Sequence, residues 1–446
     1  KTEYTYDKAG RLIHICQHGQ AEEADRITQY ERDAFGQIVC IRDALGGEEQ
    51  FHYDALGRII EKIDKEGHSI FYTYTADSKP ESILYSDGNR AELEYTPLRQ
   101  LAVIKDWLGE TRINRDNQGN PVSITNHKGE TVHYQWGSMG ERQKITYPDG
   151  TKVSWKYDSL LRPIQMNRIA ESKEPLWIDY KYNKQGHLTE KKSAGGYRTL
   201  WKYNESGQLE ELMHEDTAGV LDKFHYTYDA MGNKTAIQKQ RRGLPEESGC
   251  YQYSYDKLQR LIGVEKDGKH IRSYQYDTFS NRIEMEDNTK GIKNIYQYNA
   301  LNQLVEQEIW ETPDITSKIN TLTDENDIDN IKYNNNANIL HKTFTYDKRG
   351  NLTGEYQEDA LLHGYRFNHM NRLEKAWNHQ GEEAQYFYNA LGQRTGRTAD
   401  GEKEDYLLDL TKPYHNLLEL QKGKQTQTFF WDFNAAVMED EKRNLQ

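Results

Sequence analysis

Cysteine, proline and long apolar runs are all scarce in this sequence of 446 residues. Its three cysteines, Cys16, Cys40 and Cys250, cannot make the disulfide framework that staples small secreted domains. No apolar run approaches the roughly 18 residues that a membrane-spanning helix needs, so we expect no membrane span in this region. Only 35% of the residues are hydrophobic, which favours a folded chain with much surface and a thin core over a compact globule.

Positive charge is also in the minority. The chain has 58 Lys and Arg against 71 Asp and Glu, for a formal net charge of -13. A face that binds the phosphates of nucleic acid needs clustered basic residues, and adjacent basic residues occur here only as scattered pairs such as Arg241-Arg242. We therefore predict no nucleic-acid partner.

Aromatic residues, in contrast, are abundant and periodic. The chain has 32 Tyr, 8 Trp and 11 Phe, which argues against disorder. Pairs of rings at alternate positions, such as Phe51 and Tyr53, recur along the chain, commonly every 21 residues. The second position of each pair, here called the anchor, falls at Tyr6, Arg32, Tyr53, Tyr74, Tyr95, Arg115, Trp136, Tyr157, Tyr182, Tyr203, Tyr228, Tyr255, Tyr276, Tyr298, Tyr346, Phe367 and Tyr388.

Each repeat is predicted to be a β-hairpin. Alternate spacing places both rings of a pair on one face of a strand. After the anchor comes a turn of the form Asp54-x-x-Gly57, in which Asp can bond nearby backbone N–H groups and Gly can adopt the left-handed conformation. A second turn, such as Asp64-x-x-Gly67, follows about ten residues later. Such short links require antiparallel neighbours.

One hairpin cannot fold alone, because ordering its residues costs about 1–2 kcal/mol each and it has few apolar side chains to bury. The repeats must stack so that the rings form continuous ladders. Seventeen repeats of two strands would make a sheet on the order of 160 Å wide and about 20 Å tall. Because sheets twist and open edges are a liability, we expect this strip to curl into a spiral wall.

The repeated spelling resembles the RHS/YD-repeat family, whose hallmark is Y-D-x-x-G-R-[LI]. Residues 53–59 (YDALGRI) and 6–12 (YDKAGRL) match it, residues 346–352 (YDKRGNL) match it closely, and the resemblance covers nearly the whole chain. The family includes bacterial polymorphic toxins, wall-associated proteins, the C component of insecticidal toxin complexes, and teneurins. It implies an all-β fold in which tandem 21-residue repeats form a long antiparallel sheet that spirals into a hollow shell.

In the toxins of this family the shell encloses a C-terminal toxic domain, and a core with an aspartate-based self-cleavage motif near Asp-Pro follows the repeats. This chain contains no Asp-Pro dipeptide. It starts inside a repeat at Lys1, which predicts a piece of a longer polypeptide. We expect a repeat shell over residues 1–410 with a long acidic loop at about 311–340, and terminal strands over 411–446 that lead towards an absent core. We expect no enzyme activity, no catalytic residue, no cofactor and no cofactor-binding residue.

Metal ligands are the sharpest site hypothesis that the residues allow. His14, Cys16 and His18 alternate, so a strand would turn them to one face, and Cys40 on a nearby repeat could complete a zinc site. Ordinary strand patterning explains the same spacing, and we assign no metal residue. A Cys16–Cys40 disulfide is disfavoured, because a strand should lie between their strands. The acidic stretch 324–330 resembles a calcium loop only in composition, and we expect a solvated loop.

The leading hypothesis is a secreted or cell-surface shell without catalysis that holds a C-terminal toxin domain for delivery to competitor or host cells. An alternative is a surface protein that binds carbohydrate or cell wall, or an adhesion module, with cell-surface glycans as partners. Rod-like aromatic hairpin arrays of this second class have no cavity. A β-propeller would need odd and even repeats to differ, and Tyr53, Tyr74 and Tyr95 head similar units.

Overall fold

A computed structural model describes residues 1–19, 23–170, 176–311, 338–412, 416–431, 436–439 and 444–445. Most of the long acidic loop predicted at 311–340, including the stretch 324–330, lies outside the described residues. The strands on either side of it, Leu304–Glu311 and Asn338–Tyr346, pair directly with each other. The described part of the chain contains no helix with the length and apolarity that a membrane crossing requires.

The described residues form strands throughout, apart from one short 3-10 helix at Pro245–Glu247. In chain order the strands are β1 Thr2–Tyr6, β2 Leu12–Gln17, β3 Arg26–Arg32, β4 Ile38–Arg42, β5 Glu48–Tyr53, β6 Ile59–Ile63, β7 Ser69–Tyr74, β8 Pro80–Tyr85, β9 Arg90–Tyr95, β10 Leu101–Asp106, β11 Gly109–Arg115, β12 Pro121–Thr125, β13 Thr131–Trp136, β14 Arg142–Thr146, β15 Lys152–Tyr157, β16 Pro163–Ile169, β17 Leu176–Tyr182, β18 Leu188–Ser193, β19 Arg198–Tyr203, β20 Leu209–Asp216, β21 Gly219–Tyr228, β22 Lys234–Arg241, β23 Gly249–Tyr255, β24 Leu261–Lys266, β25 Lys269–Tyr276, β26 Arg282–Asp287, β27 Ile292–Tyr298, β28 Leu304–Glu311, β29 Asn338–Tyr346, β30 Leu352–Gln357, β31 Ala360–Phe367, β32 Leu373–Asn378, β33 Glu383–Tyr388, β34 Arg394–Ala399, β35 Glu402–Asp409, β36 Asn416–Lys422, β37 Gln425–Trp431, β38 Ala436–Glu439 and β39 Asn444–Leu445.

Two compact units divide the chain. Unit 1 comprises residues 1–90, 253–265 and 269–385, and unit 2 comprises residues 91–252, 266–268 and 386–446. Within each unit, strands that follow one another pair antiparallel, as β5 does with β6 and β13 with β14. The predicted all-β, antiparallel hairpin fold is therefore confirmed.

Every predicted anchor is the last residue of its strand. At Tyr53 the pairing register shifts by one residue relative to His52, and the same shift recurs before other anchors such as Trp136 and Tyr298. The shift is the bulge that a hairpin acquires when its loop closes on a left-handed residue. Each anchor side chain is thereby placed at the point where the sheet turns.

The turns use the chemistry expected from the sequence. Asp54 Oδ1 accepts hydrogen bonds from the backbone N–H groups of Leu56 (2.9 Å) and Arg58 (3.0 Å), and Gly57 has a φ of 80°. The guanidinium of Arg58 also pairs with Asp54 Oδ2 at 2.6 Å. Hydrogen bonds from the Arg58 backbone and side chain lower the pKa of Asp54, even though its limited desolvation acts the other way. The repeated Asp and Gly residues are structural, and a ligand role is not needed to explain them.

Anchors bind the preceding repeat through one recurrent hydrogen bond. The ring donor of the anchor reaches the backbone carbonyl at the start of the immediately preceding strand, 15 to 19 residues back, or 42 residues back in the case of Tyr346. These bonds are Tyr53 to Ile38 (2.7 Å), Tyr74 to Ile59 (2.6 Å), Trp136 to Pro121 (2.6 Å), Tyr157 to Arg142 (2.7 Å), Tyr182 to Pro163 (2.9 Å), Tyr203 to Leu188 (3.0 Å), Tyr228 to Leu209 (2.7 Å), Tyr276 to Leu261 (2.8 Å), Tyr298 to Arg282 (2.9 Å) and Tyr346 to Leu304 (2.9 Å).

The same bond explains why arginine occupies two anchor positions. Arg32 Nη2 donates to the carbonyl of Leu12 at 3.2 Å, and Arg115 Nε donates to the carbonyl of Leu101 at 3.3 Å. Both residues also bond the glycine carbonyl of their own turn, at 2.9 Å. Most anchors are therefore long side chains that carry a donor at their end, and a Tyr or Trp ring is the usual way to supply it.

The anchor series continues beyond Tyr388, where the sequence pattern had ended. Asp409 and Trp431 are the last residues of β35 and β37, and Trp431 Nε1 donates to the carbonyl of Leu417 at 2.6 Å. The tail therefore retains the repeat chemistry although it has lost the spelling.

Fully buried apolar side chains are concentrated in unit 2. They form a cluster from two separate parts of the chain, comprising Ile113, Ile124, Val132, Tyr134, Ile145, Tyr147, Val153, Met166, Ile178, Tyr180, Leu407, Leu418 and Phe430. The first rings of two pairs, Tyr134 and Tyr180, belong to this core together with Tyr147, whereas Tyr72, the first ring of a pair in unit 1, is half-buried. The expectation that the rings serve as core is met most fully where residues far apart in sequence meet.

The anchor hydrogen bond can be tested by removing it at one anchor and adding it at another. Tyr346→Phe leaves the Leu304 carbonyl without its donor and is expected to cost about 1 kcal/mol. Phe367→Tyr supplies the missing donor at an anchor that has none, and is expected to add up to about 1 kcal/mol. Urea-unfolding midpoints measure both changes, with Tyr4→Phe at an exposed ring as control. Equal midpoints for all three variants would contradict the role of the bond.

Candidate functional site at the seam between two passes of the strip

Each unit contains two long stretches of consecutive hairpins from separate parts of the chain, which we call its first and second passes. In unit 1 the first pass is residues 1–90 and the second is residues 269–385; in unit 2 they are residues 91–252 and 386–431. We call the contacts between the two passes within a unit the seam. Residues that meet there are separated by about 280 positions, so the seam is built from non-local contacts that hairpin periodicity does not reveal.

In unit 1 the two passes contact each other through their turns. Glu66 accepts a hydrogen bond from the backbone N–H of Lys348 at 2.5 Å, across 282 residues. Arg349 Nη1 lies 3.3 Å from Asp64 Oδ2, across 285 residues. Ser86 Oγ and His369 Nδ1 are 2.8 Å apart, across 283 residues. The nearly constant separation means that the two passes stay in register.

The same two kinds of turn meet in each of these contacts. The turn on the first pass is the second turn of its repeat, as at Asp64–Gly67, and the turn on the second pass follows an anchor, as after Tyr346. In unit 2, Asp106 accepts from the backbone N–H of Ala390 at 2.8 Å, and Trp107 Nε1 donates to the carbonyl of Tyr388 at 2.9 Å. These separations are 284 and 281 residues, so the pattern recurs in unit 2.

A buried ion pair lies at the seam of unit 2. Asp409, at an anchor position, is 1% exposed and pairs with Arg142, which is 8% exposed. Tyr134 Oη donates to Asp409 Oδ1 at 3.2 Å, and Thr411 donates to the same oxygen from its N–H (3.0 Å) and its hydroxyl (2.6 Å). Burial by itself would raise the pKa of Asp409, but the charge of Arg142 and the bonds from Thr411 outweigh it and the pKa is lowered.

Breaking this pair should loosen unit 2. Asp409→Asn leaves the charge of Arg142 buried without its counter-ion, which typically costs about 3–5 kcal/mol. Urea-unfolding midpoints of the full chain measure the loss, with Glu94→Gln at an exposed pair with Lys105 as control. If Asp409→Asn changes the unfolding midpoint no more than Glu94→Gln does, the importance of the pair is contradicted.

A second buried carboxyl group at this seam has a raised pKa, whereas that of Asp409 is lowered. Glu419 in β36 is 4% exposed, and its Oε1 is buried without a hydrogen-bond partner among the described residues. Burial, with the charges of Asp149 and Glu130 adding to it, raises the pKa of Glu419 to about 7. The amide of Gln421, which also donates to Glu130 Oε1 at 2.9 Å, opposes the shift.

This shift predicts how stability depends on pH. The folded-state pKa of about 7 exceeds the ordinary value of 4.5, so the protonated form is favoured by folding. The contribution of Glu419 is complete below pH 4.5 and is lost as the pH rises to 7, a change of at most about 3 kcal/mol. Glu419→Gln should therefore raise the unfolding midpoint at pH 8 and leave it nearly unchanged at pH 5.

The matched control is Glu402→Gln, which changes an exposed carboxyl on the neighbouring strand β35. Chemical unfolding at both pH values separates the two variants. An equal fall in stability between pH 5 and pH 8 for wild type and Glu419→Gln would show that this carboxyl does not titrate as described.

The structure brings together only part of the metal set considered from the sequence. Cys16 and His18 lie close to each other and to Asp25, with their ligand atoms within 4.8 Å of one another, whereas His14 and Cys40 are not members of this group. Cys40 is buried in β4, and β3 lies between it and β2, so all three cysteines are free as expected. Asp25 was not recognised from the sequence, because it precedes β3 and shares no spacing with the alternating pair.

Cavities occur in both units. In unit 1 a cavity of about 630 Å³ is bordered by Asp43, Asp64 and Tyr346, but Asp43 pairs with Lys65 at 2.6 Å and Asp64 with Arg349 at 3.3 Å. In unit 2 a pocket of about 330 Å³ is lined by aromatic side chains, Trp136, Trp155, Tyr157, Tyr180 and Trp431. Trp136 and Trp431 donate their indole N–H to backbone carbonyls, which fits a structural role.

Comparison with known families decides the relationship. The model of the Teneurin YD-shell family matches residues 2–106, 108–218 and 220–399. The chain belongs to the Teneurin YD-shell family. This confirms the RHS/YD-repeat resemblance seen in the sequence, and the match covers both units of the YD-shell chain.

Relatives of this YD-shell chain include two large bacterial proteins. It is 25% identical over 240 residues to the double-stranded DNA deaminase toxin A of Burkholderia cenocepacia (strain H111), a match that covers 51% of the chain and 16% of that toxin. It is 25% identical over 375 residues to the tRNA3(Ser)-specific nuclease WapA of Bacillus spizizenii, covering 80% of the chain and 13% of WapA. The YD-shell chain thus spans about a sixth or less of the length of these relatives.

The fold is also that of a solved structure. The crystal structure of TcdB2-TccC3 superimposes with a TM-score of 0.63 over 99% of the YD-shell chain and 26% of the other chain, at 13% identity. At this identity the likeness establishes a shared fold and nothing beyond it.

Proposed function

We propose that this chain is a wall segment of a protein shell that encloses a toxic domain and keeps it apart from the producing cell. The family and the toxin relatives support a shell role. The observation that carries the proposal is the seam, because turns about 280 residues apart meet in register in both units. A strip that returns to itself at a constant interval is what a spiral wall requires.

The seam closes the strip with polar and ionic contacts. The Asp106–Ala390 and Glu66–Lys348 hydrogen bonds satisfy backbone donors at the turns, and the Arg142–Asp409 pair adds a buried attachment in unit 2. These contacts join the two passes at the turns that connect their strands. A closed wall of this kind can retain a partly unfolded cargo without any chemistry of its own, so we assign the chain a non-enzymatic role.

The cargo that we propose is a C-terminal toxin domain of the same polypeptide or assembly, and the site of action is outside the producing cell, secreted or at its surface. We also retain residues 1–410 as the repeat shell and residues 411–446 as strands that lead towards a core. These assignments rest on the family relationship and on the toxin names of the relatives. Delivery to competitor or host cells follows from the same proposal.

Small-angle X-ray scattering of the 446-residue protein tests the wall. The 39 described strands laid side by side at about 4.8 Å would make an uncoiled strip about 190 Å long. The proposal predicts a largest dimension far below that length and a distance distribution whose maximum is shifted towards large distances, as a hollow body gives. A rod-like distribution that extends towards about 190 Å would rule out the shell.

Carbohydrate or cell-wall binding is the second candidate, and the aromatic pocket of unit 2 is the observation that favours it. Indole and phenol faces stack on sugar rings, and Trp155 borders this pocket. Titration with soluble cell-wall polysaccharide, followed by tryptophan fluorescence, separates the candidates. A saturable change that Trp155→Leu removes would favour glycan binding, and an unchanged spectrum would favour the shell alone.

A further inference from the structure

We propose that Cys16, His18 and Asp25 form a binding site for a divalent transition-metal ion of the zinc class, with Glu3 orienting the histidine. The site lies at the end of β2 and at Asp25, which precedes β3, beside β1 within unit 1. Its function is independent of the shell proposal, since metal binding here requires only these hairpins.

The spacing of the three ligand atoms fits one face of a tetrahedron. Cys16 Sγ is 3.8 Å from His18 Nδ1 and 3.6 Å from Asp25 Oδ2, and His18 Nδ1 is 3.0 Å from Asp25 Oδ2. Ligand atoms at ordinary zinc bond lengths are about 3.4–3.6 Å apart in tetrahedral geometry. Each distance is within about half an ångström of this value, so a metal ion fits with only small side-chain movement.

The histidine is oriented as metal-binding histidines are. Its Nδ1 faces the thiol and Asp25. Its other nitrogen, Nε2, is buried without a well-aligned hydrogen bond, and Glu3 Oε2 lies 3.2 Å from it. A small rotation of this carboxylate would let it accept the Nε2 proton, which would leave the Nδ1 lone pair for a metal. Glu3 is placed for this role because it is the cross-strand partner of Cys16 in the β1–β2 hairpin. Lys1 pairs with the other oxygen of Glu3, Oε1.

The carboxylate ligand is oriented in the same way. The backbone N–H of Gly19 donates to Asp25 Oδ1 at 3.1 Å, and Oδ2 faces Cys16 and His18. Thus both Asp25 and His18 have one atom beside a polar neighbour and another aimed at a common point. Supporting contacts of this kind are typical of metal centres and are not needed for a surface hydrogen bond.

Other histidine–carboxylate pairs in the chain lack this arrangement. His52 Nδ1 lies 2.9 Å from Glu61 in β6, and His363 Nδ1 lies 3.1 Å from Glu355 in β30, but neither pair belongs to a three-ligand group among the described residues. The thiol is the distinguishing ligand. A set of thiolate, imidazole and carboxylate favours zinc-class ions over Mg²⁺ and Ca²⁺, which take oxygen ligands, and leaves the fourth position to solvent.

Titration of the 446-residue protein with Co²⁺ under reducing conditions tests the site, because a thiolate–Co²⁺ bond gives a near-ultraviolet charge-transfer band. One equivalent of Co²⁺ should produce the band, and Zn²⁺ should abolish it by displacement. Cys16→Ser should remove the band, and Asp25→Asn should weaken Co²⁺ binding at least about tenfold. Glu3→Gln, which changes only the support of His18, should weaken it about 10–100-fold.

Two matched variants serve as controls. Cys250→Ser removes a free thiol elsewhere, and His52→Gln removes the histidine of a simple carboxylate pair, so both should retain the band. Far-ultraviolet circular dichroism verifies that Cys16→Ser keeps its β-sheet. The proposal is overturned if wild type gives no charge-transfer band, if the band survives Cys16→Ser in the folded protein, or if Cys250→Ser removes it.

Discussion

The hydrogen bond from each anchor to the carbonyl of the preceding repeat is the interaction on which the rest of the structure depends. A single hairpin of this sequence buries too little apolar surface to fold alone. The bond from Tyr157 to Arg142 ties a repeat to its predecessor at the bulge that ends β15. Because bonds of this kind recur at many anchors in both units, they set a similar relation between neighbouring repeats. Such a relation, repeated many times, is what brings the strip back to itself.

The seam is the consequence, and it concentrates the unusual electrostatics of the chain. In unit 2 the second pass covers the first, and apolar side chains such as Ile145 and Phe430 become fully buried. Polar groups in the same place lose solvent, so Asp409 needs Arg142 while Glu419 becomes hard to ionise. One carboxyl therefore stabilises the seam more at neutral than at acid pH, and the other does the reverse. The seam is therefore expected to weaken at acid pH, where Asp409 is protonated, and again as the pH rises towards 7, where Glu419 ionises.

Local structure could be predicted from the sequence, and long-range structure could not. The Asp-x-x-Gly turns, the antiparallel hairpins and the anchors from Tyr6 to Tyr388 follow from side-chain chemistry and period, and the structure confirms them. Which turns meet across about 280 residues depends on twist accumulated over many repeats, and no residue pattern encodes that sum. Arg32 and Arg115 fall at anchor positions by spacing, but that a guanidinium replaces the ring donor there follows only from their bonds to backbone carbonyls. Asp409 and Trp431 keep an anchor position without the spelling that reveals one.

Zero-length coupling with a carbodiimide tests the two-pass arrangement most directly, because it joins only a carboxylate and an amine that already touch. Lys128 Nζ lies 2.6 Å from Asp405 Oδ2 in unit 2, although the two residues are far apart in sequence. Mass spectrometry of the digested, coupled 446-residue protein should therefore detect an isopeptide between Lys128 and Asp405. Cross-links confined to residues of the same or adjacent hairpins, with Lys128 and Asp405 never joined, would contradict the seam.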